Sequence, residues 1–574
     1  MTTDAARPQE HGRPQPSVPP SPRWSDDAVI YQIYPRSFAD GDGDGVGDLR
    51  GILDRLSHIV DLGVDAIWLS PFYPSPQNDA GYDVADYVDV DPLFGSLEDF
   101  DELVVRAHGA GIRVIVDLVP NHTSSTHPWF QAALTAEAGD PARDLYVIRP
   151  GREGGDAPPN NWTSVFGGPA WTRLPGSDDW YLHIFDPTQP DLDWSNPAVH
   201  EEFTDILRFW LDRGVDGFRV DVAHGLVKAV GLPDHVPALG ASGEPVPASS
   251  PTAASPFFDQ DGVHEIYREW RRILDAYPGE RILVAEAWVE PLERLFRYVR
   301  ADEMDQAFNF TFLMAGWDAP GLARAIEDTF AAAAEVGAAP TWVLSNHDTV
   351  RHPSRFGVAE PPPHQRGIGP DDPQPDLTLG RRRASAMALI ELGLPGSAYI
   401  YQGDELGLPE HTHLPASARR DPVYARSRGA ELGRDGARTP YPWSASAPHL
   451  GFGTPAGEET WLPQPEGHSV LAHDIQNDDP ESQLHLYRGL LRTRRELGMG
   501  RGAFAWHPLH DPRRGLLAFT VTTETAVVLV AANLSEVPIA LPEAVGRPTL
   551  AASGPAAWDE GTLSGESAVW VPLA

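Results

Sequence analysis

Gly217-Phe218-Arg219-Val220-Asp221-Val222 is the stretch from which the rest of the chain is read. Phe218, Val220 and Val222 are strand formers, and the run follows a helical pattern over 201–213 and a Gly-Val turn. Arg219 and Asp221 are two residues apart, so on a strand they point the same way. An adjacent arginine is expected to keep the carboxylate ionised at neutral pH. An ionised, fixed aspartate suits a nucleophile that forms a covalent intermediate. Alone, the pair reads equally well as a structural tie at a strand end. Its surroundings decide.

Seven further apolar runs read as strands, over 29–38, 66–72, 113–119, 282–288, 306–312, 341–348 and 397–403. Helical patterns follow most of them, at 49–62, 97–110, 264–277 and, last, 482–497. Gly63 and Gly111 stand where a helix would stop. Eight such βα units with apolar strands imply a closed parallel barrel. The alternation breaks over 121–186, a stretch rich in Gly, Pro and Trp and too long for a plain loop. A second insertion, 231–255, is rich in Pro, Ala and Ser. Beyond 500 come short alternating runs such as 516–521 and 526–531, which read as antiparallel strands. The expected fold class is therefore α/β: a (β/α)8 TIM barrel with a small domain inserted after strand 3 and a C-terminal antiparallel β domain. The expected divisions are a disordered tail 1–22, rich in Pro, Gln and Arg, a barrel over 23–120 and 187–499, an inserted domain 121–186 and a β-sandwich 500–574.

The net charge is −38, from 44 basic and 82 acidic residues. That disfavours nucleic acid and anionic membrane as partners and is compatible with a neutral substrate. The absence of cysteine removes disulfides, thiol catalysis and zinc–thiolate sites. No apolar run is long enough to span a bilayer, and no apolar signal core opens the chain, so a cytoplasmic protein is expected. Lys228 is the only lysine.

In a βα barrel, functional side chains come from the C-terminal ends of the strands. Those ends carry Asp117 with Asn121 and His122, then Arg219 and Asp221, then Glu286, then Asn346, His347 and Asp348. Each alone could be a structural cap; together they predict one polar mouth. A separate loop, Asp40-Gly-Asp42-Gly-Asp44-Gly-Val46-Gly-Asp48, spaces four carboxylates with glycines between. Hard oxygen ligands on a tight loop suit Ca2+, or Mg2+ in a smaller cage; a solvated acidic turn is the alternative. An EF-hand fits poorly, because its twelfth position would be Gly51.

The segments Asp117-Leu-Val-Pro-Asn121-His122, Gly217-Phe-Arg219-Val-Asp221, Ala285-Glu286-Ala287-Trp288 and Ser345-Asn346-His347-Asp348 resemble the motifs of the α-amylase family, glycoside hydrolase family 13. Gln189-Pro190-Asp191-Leu192-Asp193-Trp194 is similar to a motif of its α-glucosidase and oligo-1,6-glucosidase branch. The resemblance implies a retaining double displacement with Asp221 as nucleophile, Glu286 as general acid and base, and Asp348 as stabiliser of the distorted sugar. It implies that His122, His347 and Arg219 lie on the reacting sugar's subsite. Tyr82 would stack on the ring, Asp79 would bind the non-reducing end and pair with an arginine, for which Arg438 is the candidate, and Phe166 and Phe185 would line the pocket. It also implies a structural cation on Asp40, Asp42, Asp44, Asp48 and the carbonyl of Val46, and no organic cofactor. The implied partner is a small neutral oligosaccharide, and the implied state a monomer or homodimer.

Linkage preference divides the motifs. In relatives, valine after the nucleophile goes with α-1,6 cleavage, and here that residue is Val222. The run Ala223 to Lys228 departs from the oligo-1,6-glucosidase pattern, and Asp193 stands where those enzymes carry asparagine. The expectation is an exo-acting α-glucosidase on short substrates, α-1,4 ahead of α-1,6, with transglucosylation. A non-catalytic member of the family is the competing class; retention of all three carboxylates and the lack of a membrane helix speak against it.

Overall fold

The computed structural model describes residues 23–236, 255–359 and 367–573. The expected tail 1–22 and most of the insertion 231–255 lie outside the described residues.

Eight strands form one parallel sheet: β1 Val29–Ile33, β2 Ala66–Leu69, β3 Arg113–Leu118, β4 Gly217–Val220, β5 Ile282–Ala285, β6 Gln306–Ala307, β7 Thr341–Val343 and β8 Ser397–Tyr401. Their order is β7-β8-β1-β2-β3-β4-β5-β6, and every ladder is parallel. This is the expected (β/α)8 barrel. All five residues of β1 are buried, as they must be when one strand face lines the barrel interior and the other meets helices. Inside, Ile30, Trp68, Ile115, Ile282, Val284 and Tyr399 pack together. A larger cluster fills the layer between strands and outer helices.

Helix limits follow their caps. Helix Leu97–Gly109 starts where the Ser96 side chain accepts the Asp99 N–H, the standard satisfaction of an unpaired first-turn donor. Helix Pro197–Asp212 begins earlier than the apolar pattern predicts, because Asn196 caps it and Pro197 fits the first turn. The predicted helix 49–62 is two pieces, Leu49–Asp54 and Leu56–Leu62, broken at Arg55 and stopped by the left-handed Gly63 at φ 88°.

One predicted strand is mostly something else. Over 306–312 only Gln306 and Ala307 pair in the sheet, and Phe310–Met314 is a helix. The Asn309 side chain accepts the Phe312 N–H at 3.0 Å and so starts that helix; a short polar residue in an apolar run was the available signal.

After β3 the inserted segment forms a three-stranded sheet from Ile148–Pro150, Asp179–Leu182 and Trp171–Arg173. The C-terminal region folds as a five-stranded sheet and a three-stranded sheet. The five-stranded sheet packs on helix Leu377–Gly393, where the Trp570 indole donates to the Leu389 carbonyl at 2.9 Å. No helix among the described residues is long and apolar enough to cross a membrane.

Candidate active site

The sheet register sets the centre of the site. Asp117 on β3 lies opposite Arg219 on β4, and Arg219 opposite Val284 on β5. Paired residues of adjacent strands share a face, so Asp117 and Arg219 meet inside the barrel mouth. The Arg219 guanidinium, 2% exposed, donates from Nη1 to Asp117 Oδ1 and to Asp221 Oδ1, each at 2.7 Å. Its Nη2 lies 3.6 Å from Glu286 Oε2. The guanidinium also sits 5.1 Å from the Trp68 ring centroid and 5.8 Å from that of Tyr82. One cation therefore serves three carboxylates.

Burial dominates the electrostatics. It pushes the Asp117 carboxyl up to about 6, with Arg219 opposing. It pushes Asp221 well above the usual carboxylate range, again with Arg219 opposing and with Glu286, Asp117 and Asp348 adding to the rise. This corrects the expectation that the arginine alone keeps Asp221 low: a single guanidinium shared among several buried acids does not neutralise them all. Glu286 is raised too, by burial and by Asp348, against Arg219 and two N–H donors.

β4 ends at Val220, two residues before the predicted end. Val222 then takes φ 46°, a strained value for a β-branched residue. Its N–H donates to Glu286 Oε2 at 2.7 Å, tying the tip of β4 to that of β5.

On the other wall, Gln32 donates to His347 Nδ1 at 2.7 Å. That leaves His347 Nε2–H to meet the Tyr82 hydroxyl oxygen at 2.7 Å, while this hydroxyl donates to Asp117 Oδ2 at 3.1 Å. The Tyr82 and His347 rings stack, 5.4 Å apart. Burial drives His347 well below the ordinary imidazole range, so it is neutral. Burial also works against ionisation of Asp348, but His347, Arg434 and Arg438 outweigh it and hold Asp348 below the usual carboxylate range. Since His347 is neutral, the two arginines supply the charge.

Those arginines divide the work differently from expectation. Arg438 donates to Asp348 Oδ1 at 2.8 Å and to the His347 carbonyl at 2.8 Å. Arg434, not Arg438, faces Asp79, at 2.8 Å from Oδ1, and it also reaches Asp348 at 3.1 Å and Asp421 at 2.6 Å. The reason is Asp421, a fully buried acid that accepts from both the backbone N–H and the side chain of Arg434 and fixes its direction. Asp79 is pushed up to about 6 by burial, with Arg434 opposing.

The remaining predicted residues close the wall. His122 donates to the Tyr82 carbonyl at 3.1 Å and is lowered to about 4 by burial. Phe185 lies 5.4 Å from His122 and 5.5 Å from Phe166, and the Arg434 guanidinium lies over Phe166 at 5.5 Å. All eleven predicted catalytic and sugar-site residues thus share one network. Sequence reasoning missed Gln32, Arg434 and Asp421 as members. Gln189 opens the Gln-Pro-Asp-Leu-Asp-Trp motif, and its amide donates to Asp79 Oδ2 at 3.1 Å. The lone lysine, Lys228, is also at this wall, 2.8 Å from both Asp191 Oδ2 and Asn121 Oδ1.

In the acidic loop, ligand oxygens of Asp40, Asp42 and Asp48 lie within 4.8 Å of one another. Asp44 is outside that group, because its Oδ1 turns back to accept the Val46 N–H at 2.8 Å. Backbone N–H groups and Thr454 orient Asp40 and Asp48. No cationic side chain among the described residues pairs with these acids. Two oriented carboxylates and the exposed Asp42, without a protein counter-ion, offer the hard oxygens that a divalent cation takes.

The α-amylase catalytic-domain family model matches residues 32–500. A probable α-glucosidase of Rhizobium meliloti (strain 1021) is 40% identical over 494 residues, covering 83% of this chain and 83% of that protein. An oligo-1,6-glucosidase of Parageobacillus thermoglucosidasius is 34% identical over 82% of this chain and 84% of that protein. Among solved structures, an α-glucosyl transfer enzyme, XgtA, superposes with a TM-score of 0.82 at 36% identity, over 96% of this chain and 100% of that one. A buried cluster of strand-end carboxylates on a (β/α)8 barrel, with these relatives over most of its length, makes the chain a member of the α-amylase family, glycoside hydrolase family 13, and a glycoside hydrolase of the α-glucosidase type.

Proposed function

We propose that the protein is a retaining, exo-acting α-glucosidase that releases glucose from the non-reducing end of short α-glucosides, with transglucosylation from the same intermediate. The observation that carries this reading is the Arg219 fork, which bonds Asp221 at 2.7 Å and reaches Glu286 at 3.6 Å. Retention needs a nucleophile and an acid close together across one sugar, roughly 5–5.5 Å apart. Two buried carboxyls beside one cation share a proton between them. Burial raises both acids, Asp221 the more strongly; against that, we place the charge on Asp221, the acid bonded directly to Arg219, and the proton on Glu286. Asp221 then attacks the anomeric carbon while Glu286 protonates the leaving oxygen; Glu286 next takes a proton from water, or from an acceptor sugar, which opens the ester. Asp348, kept ionised by Arg434 and Arg438, is placed to accept hydrogen bonds from ring hydroxyls as the sugar flattens.

Exo action follows from the ionic wall Asp79–Arg434–Asp348. In this reading the wall closes the pocket behind a single glucose, and Tyr82, His122, His347, Phe166 and Phe185 line it. For linkage, α-1,4 substrates such as maltose stand first and sucrose is a further candidate. Val222 and the oligo-1,6-glucosidase relative favour isomaltose-type substrates as the second reading. A structural Ca2+ or Mg2+ would sit on Asp40, Asp42 and Asp48, with the Val46 carbonyl as a further donor, and takes no part in the chemistry. No organic cofactor is needed, and the acidic surface suits a neutral saccharide.

The test is an initial-rate comparison of maltose, isomaltose, sucrose, trehalose and starch, with the product anomer followed by NMR. Short substrates should exceed starch by far, and α-glucose should appear first. Release of β-glucose, or efficient internal cleavage of starch, overturns the reading. Asp221→Asn and Glu286→Gln should each fold and lose most turnover, on the order of 10^4-fold or more.

A further inference from the structure

Both oxygens of Glu286 are held by N–H donors outside the carboxylate cluster. Oε2 accepts the Val222 backbone N–H at 2.7 Å, and Oε1 accepts the Trp288 indole N–H at 2.8 Å. The indole lies flat on Phe310, with ring centroids 3.7 Å apart and planes 3° from parallel. Phe310 is itself fixed. It is 6% exposed, and it opens the short helix that Asn309 caps. The Asn309 amide donates to Thr329 Oγ1 at 2.6 Å, in the outer helix Ala319–Val336.

We propose that Trp288 and Phe310 are positioning residues for the glycosidic reaction: the stack fixes the plane of the indole, and the indole N–H fixes the Glu286 carboxyl in the orientation that faces the leaving oxygen. This inference rests on the reading of Glu286 as general acid and base. A glutamate side chain turns about three torsions, and one backbone donor at Oε2 leaves the carboxyl free to swing about that contact. The second donor, on the other oxygen, removes that freedom. The stack matters because a lone indole also rotates, and a donor that wanders holds nothing in place.

The arrangement has a protonic consequence that mere core packing lacks. A donor to a carboxyl favours its ionised form. The groups facing Glu286 are Arg219, Val222 N–H and Trp288 N–H, which favour ionisation, and Asp221 and Asp348, which oppose it. Removing the indole donor should therefore raise the proton affinity of Glu286. The alkaline limb of kcat/KM, which reports loss of the acid's proton, should move to higher pH.

Trp288→Phe keeps a flat ring on Phe310 and removes the donor. Phe310→Leu keeps the donor and loosens its plane. For Trp288→Phe the expected result is an alkaline limb about one pH unit higher. Its loss of kcat/KM should be about tenfold larger on maltose than on 4-nitrophenyl α-glucoside, whose leaving group needs little protonation. Phe310→Leu should show the leaving-group difference with a smaller shift of the limb. Circular dichroism and thermal unfolding check that both variants fold, and either variant alone decides the question if the other does not. If Glu286→Gln retains turnover of maltose, the reading of Glu286 fails and this inference with it. If Glu286→Gln is inactive while folded Trp288→Phe and Phe310→Leu keep the wild-type limb and the wild-type ratio between the two substrates, Glu286 keeps its role and the positioning role of Trp288 and Phe310 is overturned.

Discussion

Arg434 and Arg438 are four residues apart and both end on Asp348, yet they do different jobs. Arg434 completes a buried ionic triangle with Asp79 and Asp421, and Arg438 braces Asp348 against the His347 carbonyl. Replacing Arg434 by Met leaves Asp79 buried without its cation. Burial then raises that carboxyl further from about 6, and at neutral pH it takes up a proton. The hydrogen bond it would offer a sugar hydroxyl weakens accordingly. A bond to a charged group contributes about 1.5–3 kcal/mol, so kcat/KM on maltose should fall about ten- to a hundredfold, with most of the change in KM. Arg438→Met acts on Asp348 and should fall mainly on kcat. Steady-state kinetics of the two variants separates the roles. The sequence could not assign them, because Arg434 and Asp79 are 355 residues apart and a spacing of four in a turn leaves both guanidinium groups free to reach one mouth. The strand-end acids were legible for the opposite reason. A carboxylate closing an apolar run has few places to be except the barrel rim.

At the scale of elements, the apolar runs located all eight strands, and their starts agree closely with prediction. Their ends were overdrawn wherever a polar functional residue followed. Glu286 and Asp221 each sit one residue past a strand, and Asn346 to Asp348 sit beyond β7. The chain leaves the ladder at those points so that side chains can converge, and an apolar neighbour such as Val222 or Trp288 hides the departure. The acidic loop after β1 is an element whose ligand can be removed. Its bound cation would stabilise the folded state by about 2.7 kcal/mol at a hundred times its dissociation constant. Chelation should therefore lower Tm measurably, and added Ca2+ or Mg2+ should restore it, while kcat on maltose below the unfolding range stays unchanged. Calorimetry with and without EDTA measures both directions. A Tm indifferent to chelator would leave Asp40, Asp42 and Asp48 as an ordinary acidic turn.

For the molecule as a whole, a net charge of −38 on 574 residues is self-repulsion spread over the surface. Salt screens such charges over about 10 Å at 0.1 M and 3 Å at 1 M. Tm should therefore rise as NaCl is raised from low millimolar to 0.5 M, and kcat/KM for an uncharged disaccharide should move little, because no long-range field steers it. Thermal melts and initial rates across one salt series test both halves. The buried acids of the site respond less than the surface because they are hydrogen-bonded to fixed arginines and lie away from mobile ions.

The single lysine adds a consequence for handling the protein. The Lys228 ammonium is spent inside, its side chain 5% exposed against Asp191, and every other cationic side chain that is not histidine is a guanidinium. Reagents that seek aliphatic amines, such as succinimidyl esters or glutaraldehyde, find no side-chain target on the exterior. Coupling to a support or a dye has to go through the abundant carboxylates or the α-amino group, and a label that does reach Lys228 reports that the wall between the inserted segment and β4 has opened.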